Sequence, residues 1–199
     1  MAQKDVRVDH PKFTLGEDGE LNLIQIDSDL LAWVDDPEDS IQLGSFEAQY
    51  FPAGTPSWVL DALSGAHLDV WEALKSIGQE DDDFIYVDEI NIYEQARGHW
   101  FGLYMMQAFL GLSLTIFPHQ KIITIPHNLV SEEAKAKSSG VMRRYWGAAG
   151  FIPLLKADVS NVCVLDRGGK RAQELHGRSF NTSITLPEEK IAELRKGSR

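Results

Sequence analysis

The segment from Arg97 to Gly102 contains the residue types of an anion-binding turn. It follows an apolar segment and leads into the apolar run that begins at Leu103. A helix beginning here would expose several backbone N–H groups, where the helix dipole adds partial positive charge. The glycines would let a phosphate approach the backbone closely. We therefore expect a phosphate site at residues 97 to 102, although a glycine turn before a helix is also common in proteins without one.

The segment before this turn predicts a strand whose apolar pattern slips by one residue. Ile85 and Val87 are two residues apart, as are Ile90 and Ile92, but the two pairs are out of phase. Because alternate side chains of a strand point to opposite faces, the slip indicates either burial on both faces or a bulge at Asp88–Glu89. A bulge would leave strand N–H and C=O groups unpaired, which an extended amide ligand could use. The residues alone leave both interpretations open.

The stretch from Ile90 to Met106 resembles motif A of the Gcn5-related N-acetyltransferases, the GNAT family. In that motif, a hydrophobic strand and a short loop lead into Arg/Gln-x-x-Gly-x-Gly/Ala and an apolar helix. One register places Arg97 first, Trp100 at the middle glycine and Gly102 last. A register that starts two residues earlier places Gly98 in the middle and Trp100 last. Either register loses one small residue.

A second match lies downstream, where Arg144–Phe151 resembles the family's aromatic–Tyr–x–x–x–Gly–Phe segment. The predicted strand Ile122–Ile125 falls where the family has the strand that splays from the bulged one. The two motifs cover about residues 84 to 166 and imply the GNAT fold. Trp146 stands at the family's frequent general-acid tyrosine, and an indole N–H does not serve as an acid for a thiolate. Neighbouring Tyr145 is the candidate replacement.

The resemblance implies that acetyl-coenzyme A (acetyl-CoA) binds between the splayed strands as a co-substrate. Its pantetheine amides would pair with Ile90, Asn91 and Ile92. Its diphosphate would bind the backbone of Arg97, Gly98, His99, Trp100, Phe101 and Gly102. A primary amine would attack the thioester directly, without a covalent enzyme intermediate. Glu89 is the candidate base for the amine proton, with Asp88 second, and Tyr145 is the candidate acid.

Two classes of function are weighed on this basis. The first is an N-acetyltransferase that acts on a small-molecule or protein amine, and a different acyl donor or acceptor is a variant of it. The alternative is a catalytically inactive GNAT-fold module that binds CoA or a protein partner, which Trp100 and Trp146 favour. The sequence identifies neither the acceptor nor the oligomeric state, and a homodimer is among the expectations left open.

Composition narrows the range of partners. The chain of 199 residues has 30 acidic and 19 basic residues, a net charge of −11. Nucleic-acid binding requires a basic face, and no cluster of Lys and Arg with interleaved aromatic residues occurs, so we expect no nucleic-acid partner. Acidic runs such as Asp81–Asp83 would attract a cationic amine.

The same sequence carries no signal for a membrane, an export leader or a metal site. No apolar run approaches the roughly 18 to 20 residues of a membrane span, and the N-terminus has no apolar signal core. We therefore expect a cytoplasmic protein with no membrane partner. The single cysteine, Cys163, excludes an intrachain disulfide and is expected to be buried. His99, His119 and His127 lack metal-ligand spacing, so we expect no metal.

The predicted fold class is α/β, with a mixed, mostly antiparallel twisted sheet that contains a splayed strand pair and is flanked by helices. We expect one domain, 1–199, with a flexible N-terminus at 1–20 and a C-terminal extension at 168–199. Predicted strands cover residues 21–26, 41–51, 84–93, 121–125, 151–155 and 161–166. Predicted helices cover a short stretch at 27–33, two helices between 57 and 77, then 98–112, stretches from 131 and from 139 to 148, and 187–196.

Overall fold

The computed structural model describes residues 2–18, 23–36, 39–63, 65–125, 144–154 and 162–197. The strands are β1 (Gln3–Val8), β2 (Lys12–Asp18), β3 (Leu23–Trp33), β4 (Ser40–Phe51), β5 (Phe84–Ile92), β6 (Lys121–Thr124), β7 (Phe151–Pro153), β8 (Cys163–Leu165) and β9 (Ser183–Pro187). The helices are α1 (Ser57–Leu63), α2 (Gly65–Ser76), α3 (Phe101–Ile116), α4 (residues 144–148), α5 (Lys170–His176) and α6 (Glu188–Gly197). A 3-10 turn, Glu94–Ala96, lies between β5 and α3.

The nine strands form one sheet in the order β7-β8-β6-β5-β4-β3-β1-β9, with β2 pairing β3 beside β1. Strands β5 and β6 are parallel, and the other strand pairs are antiparallel. Parallel neighbours need a long crossover connection, which α3 provides here. The predicted mixed, mostly antiparallel sheet with flanking helices is confirmed.

Helices cover both faces of the sheet around β4 and β5. On one face, α3 packs against β4, and the rings of Phe109 and Phe46 lie 4.7 Å apart. On the other face, α1 and α2 cover an apolar cluster in which Phe51 stacks on Phe84 at 4.8 Å. A strand covered on both faces reads as a continuous apolar run, and the run Phe84–Val87 is at most 2% exposed.

The N-terminal residues differ from the prediction. Residues 3–18, expected to form part of a flexible terminus, are strands β1 and β2, and Val6 is fully buried. Strand β1 pairs with β3 and with β9 of the C-terminal extension. Thr185 Oγ1 donates to Asp5 Oδ1 at 3.0 Å across that pair. Contacts between two distant segments of a chain have no local pattern, so they could not be predicted from the sequence.

The short helix predicted after Asp27 is wrong, because those residues form the second half of β3. Asp27 and Ser28 are residue types that favour helix N-caps. However, Ile26 and Leu30 are fully buried on the same strand face, and β3 is paired on both edges. The pairing outweighs the local propensity for a helix cap.

Other elements match the predictions more closely. The helix predicted at 98–112 is α3, the terminal helix is α6, and the two strands predicted around 151–166 are the antiparallel pair β7 and β8. Cys163 is buried as expected. Helix α5 and strand β9 were not predicted. The helical stretch predicted from Ser131, the first half of the 139–148 helix and His127 lie outside the described residues, and the second half of that helix is α4. Within the described ranges, no helix has the length and apolar character needed to cross a bilayer.

Candidate functional site

Strands β5 and β6 are paired over only part of their length. The parallel register joins Phe84–Tyr86 to Lys121–Ile123 and ends there. At the next position, the buried hydroxyl of Thr124 donates to the Val87 carbonyl at 2.9 Å. On its other edge, β5 stays paired with β4 as far as Ile92. The predicted splayed pair is therefore present, and we call the space between the diverging strands the strand opening.

A β-bulge lies where the strands separate. Glu89 is opposite Glu47 of β4 and Val87 is opposite Ala48, so Asp88 is the extra residue on β5. This is the bulge that the phase slip allowed at Asp88–Glu89. A bulge bends its strand and increases the local twist, which turns the second half of β5 away from β6.

The backbone of β5 faces β4 and the strand opening alternately. The Tyr93 N–H donates to the Leu43 carbonyl of β4 at 2.9 Å, so the backbone groups of Tyr93 and Asn91 face β4. The groups of Ile90 and Ile92 consequently face the strand opening. Asn91 was also predicted to pair with the pantetheine arm, but its backbone groups face β4 and are not available at the strand opening.

Arg97 also differs from its predicted role. Its N–H donates to the Glu94 carbonyl within the 3-10 turn, so this N–H is not available to a phosphate. Its side chain reaches back to the strand, and Nε donates to the Ile92 carbonyl at 2.9 Å. Arg97 therefore holds the loop against the strand opening and uses one of the two carbonyls exposed there.

The loop after Arg97 leads into α3 with its amides unpaired. Gly98 has φ +91° and open space around its Cα, and Trp100 has φ +64° in the left-handed region. No side chain caps α3, and its first recorded hydrogen bond is from the Tyr104 N–H to the Trp100 carbonyl. Among the described residues, we find no acceptor for the N–H groups of residues 98–103. This helix start matches the predicted anion site.

The two tryptophans that depart from the family pattern occupy opposite environments. Trp100 is 58% exposed, and the guanidinium of Arg178 lies 5.2 Å from its ring. Trp146 is 4% exposed and packs edge-on against Phe151 at 5.1 Å. Trp146 is part of the core, so its side chain is not available as an acid or as a lining of the strand opening.

Tyr145 lies where the predicted site residues meet. A Cβ added to Gly102 would collide with the Tyr145 hydroxyl and would lie 3.4 Å from Ile90 Cγ2. The phenol therefore reaches between the start of α3 and the open half of β5, at the strand opening. Burial raises the pKa of Tyr145, so the hydroxyl keeps its proton at neutral pH.

A row of carboxylates crosses the sheet on the opposite face of β5 from Ile90. Asp27 of β3 is directly opposite Glu47 of β4, and Glu47 is directly opposite Glu89 of β5. Burial raises the pKa of Glu47, and the neighbouring charges of Glu89, Asp27 and Asp88 raise it further. Like charges directly opposite in a sheet are destabilising, so this row costs stability.

A cleft of about 320 Å³ opens along this row. Its lining includes Asp27 and Glu47 of the row, together with Asp9, Asp29 and Lys12. Sequence reasoning identified Glu89 but missed Glu47 and Asp27. The sequence signal for these two residues was that each occupies a polar position in a strand of alternating apolar and polar residues. That signal becomes informative only once the register of the two strands is known. Glu89 lies on the opposite face of β5 from Ile90, the residue that the Tyr145 phenol approaches.

In the described ranges, no three His, Cys, Asp or Glu side chains lie close enough together to bind a metal ion. The residues do fit a ligand with extended amides and a phosphate. Among the described residues, the N–H and C=O groups of Ile90 and the N–H of Ile92 have no partner and face the strand opening, whereas the Ile92 carbonyl accepts from Arg97. The amides of residues 98–103 lie at the adjoining helix start.

No protein-family model matches the sequence, and no curated protein matches it. Among solved structures, the chain is similar to one in a KacTA–DNA complex, with a TM-score of 0.43 and 12% identity over 74% of this chain and 69% of that one. It is similar to AtaTR bound with AcCoA, with a TM-score of 0.42 and 13% identity over 81% and 92% of the two chains.

A third similar structure is mosquito arylalkylamine N-acetyltransferase like 5b, with a TM-score of 0.40 and 17% identity over 67% of this chain and 73% of that one. At these identities the likeness concerns the fold alone, and the residues of the strand opening carry the functional argument. The DNA named with the first structure belongs to that protein, and the expectation that this chain binds no nucleic acid stays a prediction.

Proposed function

We propose that this chain is an N-acetyltransferase that transfers the acetyl group of acetyl-CoA to a primary amine by direct attack. The observation that carries the proposal is the strand opening beside the start of α3. It brings together unpaired strand groups, unpaired helix N–H groups and a protonated phenol. Partly buried backbone groups normally find partners, so an opening that leaves them free favours a ligand site.

The donor side of the proposal uses backbone groups more than side chains. Ile90 and Ile92 offer amide groups to the pantetheine arm. The N–H groups from Gly98 to Leu103 offer donors and the positive end of the α3 dipole to the diphosphate. Because these are backbone groups, Trp100 can replace a glycine in the motif while its exposed ring leaves the N–H groups accessible.

The acceptor side of the proposal is the cleft along the carboxylate row. A primary amine has a pKa near 10, so it arrives as an ammonium ion and must lose a proton before attack. The carboxylates attract the cation, and the raised pKa of Glu47 makes it a better proton acceptor than an ordinary surface glutamate. We assign deprotonation to the Glu47–Glu89 pair, which extends the role predicted for Glu89 alone.

The leaving thiolate needs a proton, and Tyr145 is placed to give one. Its hydroxyl touches Gly102 and lies near Ile90, at the strand opening where the thioester would lie. Its raised pKa keeps it protonated until negative charge develops on sulfur. Trp146 has no part in this step because it is buried against Phe151.

Donor binding is tested by calorimetry and thermal unfolding with acetyl-CoA. A ligand at about 100 times its dissociation constant stabilises by about 2.7 kcal/mol, which raises Tm by about 5 to 10 °C in a chain of this size. Gly102→Ala displaces the Tyr145 phenol into the strand opening and should weaken binding about tenfold or more. Gly111→Ala is the matched control, because its Cβ meets open space on the same helix. Wild-type protein that binds no acetyl-CoA refutes the proposal.

Transfer is tested by thiol release with polyamines, aminoglycosides and lysine-containing peptides as acceptors. Tyr145→Phe should lower kcat about 100-fold, the usual contribution of a general acid, and should leave acetyl-CoA affinity unchanged. A full rate in Tyr145→Phe would remove that residue from the mechanism. Acetyl-CoA binding without thiol release from any acceptor would instead indicate the inactive module.

A further inference from the structure

The side chain of Arg178 is held between two aromatic rings beside the start of α3. Its guanidinium carbon lies 5.2 Å from the centre of the Trp100 ring and 5.0 Å from that of Phe180. The side chain is exposed, and no carboxylate among the described residues pairs with it. In an acidic chain, an exposed arginine usually pairs with a carboxylate. The position of Arg178 between two aromatic rings therefore requires another explanation.

The segment that carries Arg178 is fixed to α3. Gln107 Nε2 donates to the carbonyls of Leu175, His176 and Arg178 at 2.7 to 2.9 Å. Phe180 packs against Tyr104 at 5.6 Å, one turn into the same helix. The position of the cation is thus set relative to the first turn of α3, where the unpaired N–H groups are.

Stacking leaves the hydrogen-bonding edge of a guanidinium free. Aromatic rings contact the face of the group, whereas all five N–H donors point outward in its plane. Arginine held in this way is suited to bind phosphate through two parallel hydrogen bonds. The residue that supplies one ring, Trp100, also contributes one of the unpaired N–H groups at the helix start.

We propose that Arg178 binds a phosphate of the nucleotide portion of CoA and that Trp100 positions it for this role. The inference rests on the proposed acetyl-CoA site and assigns it a side chain outside the motif that predicted the site. In a chain with a net charge of −11, a polyanionic donor needs a fixed cation to offset repulsion. The role also accounts for Trp100, since a small residue at this position could not hold the guanidinium.

The test measures the affinity of the full chain for CoA, dephospho-CoA and pantetheine by calorimetry. Arg178→Met keeps much of the side-chain length and should weaken CoA about 10- to 100-fold, the usual loss for a charge-assisted hydrogen bond, while pantetheine binds as before. Dephospho-CoA distinguishes the two phosphate positions: a retained effect places Arg178 on the diphosphate, and a lost effect places it on the 3′-phosphate. Lys170→Met is the control, because it removes an exposed cation that pairs only with Glu174.

Two further variants separate binding from folding. Arg178→Lys keeps the charge without the planar fork and should fall between wild type and Arg178→Met. Trp100→Gly keeps the N–H and relieves the left-handed backbone, and its loss of CoA affinity should not add to that of Arg178→Met.

Four outcomes would overturn the inference. A lower Tm with unchanged CoA affinity would make the stack a structural latch only. An equal loss for CoA and pantetheine would show general damage to the site. Wild-type protein that binds CoA while Arg178→Met binds it equally well would refute this inference and leave the proposed function standing, whereas wild-type protein that binds no CoA would refute both.

Discussion

The two halves of β5 differ although they belong to one strand. In the first half, Phe84 to Val87 are buried on both faces, and Phe84 to Tyr86 are paired with strands on both edges. In the second half, Glu89 to Ile92 are only partly buried, and among the described strands they pair only with β4. Both halves contain isoleucines, so apolar composition does not separate them.

What separates the halves is the neighbour on the β6 side. Strand β6 has four residues, and its last one, Thr124, bonds the Val87 carbonyl through its side chain. Beyond that bond, Ile90 and Ile92 keep backbone groups that a complete ladder would have used. The first half therefore contributes more stability than the second, whose open edge is the ligand site in the proposed function.

The largest predicted effect compares equivalent substitutions in the two halves. Ile85→Ala should lower the free energy of unfolding by about 2 to 5 kcal/mol, because it leaves a cavity at a fully buried position. Ile92→Ala should cost about 1 kcal/mol, since that side chain already contacts solvent. Urea unfolding of both variants measures the difference. Equal losses would show that the second half is as tightly packed as the first.

A smaller effect is predicted at the boundary between the halves. Thr124→Val removes the hydroxyl that bonds the buried Val87 carbonyl and should cost about 1 to 3 kcal/mol. Thr115→Val is the control, because the Thr115 hydroxyl bonds an exposed helix carbonyl that water can serve instead. Thermal unfolding compares them. If both variants lost the same stability, the Thr124 bond would have no special place at the boundary.

The opening of the strand pair could be predicted because its signal is local. The bulge at Asp88 appears as a slip in the alternation of four apolar residues. The uncapped helix start at residues 98–102 appears in the sequence as glycines between a strand and a helix. Within that site, the roles of Arg97 and Asn91 could not be predicted, because they depend on which backbone groups the 3-10 turn and β4 had already used.

The carboxylate row could not be predicted, because it depends on strand register. Asp27 was assigned to a helix cap, and nothing local links it to Glu47 or Glu89. Three carboxylates come into one row only when three strands align in the sheet. The choice between Tyr145 and Trp146 is similar: neighbours on a helix point about 100° apart, so only one reaches the strand opening. The rotation that selects Tyr145 is set by tertiary packing.

The smallest predicted effect concerns the carboxylate row, in which Glu47 of β4 lies opposite Glu89 in the second half of β5. The raised pKa of Glu47 means that the folded chain holds this proton more tightly than the unfolded chain does. The destabilisation caused by the charge of Glu47 is therefore absent at low pH. It develops as the pH rises above about 4.5, the ordinary pKa of a glutamate side chain. Glu47→Gln should raise Tm at pH 7 by about 1 to 2 °C, a modest gain because solvent screens the row. The gain should disappear below pH 4.

Glu72→Gln on α2 is the control for this pH dependence, because it changes an exposed glutamate outside the row. Its Tm should follow wild type at every pH. If Glu47→Gln also followed wild type at pH 7, the row would carry no strain, and the argument that Glu47 is a stronger base than an ordinary glutamate would lose its support. Glu47→Gln could instead be more stable than wild type and release thiol more slowly. That result would show that the charge repulsion that destabilises the open half of β5 also prepares the carboxylates to take the amine proton.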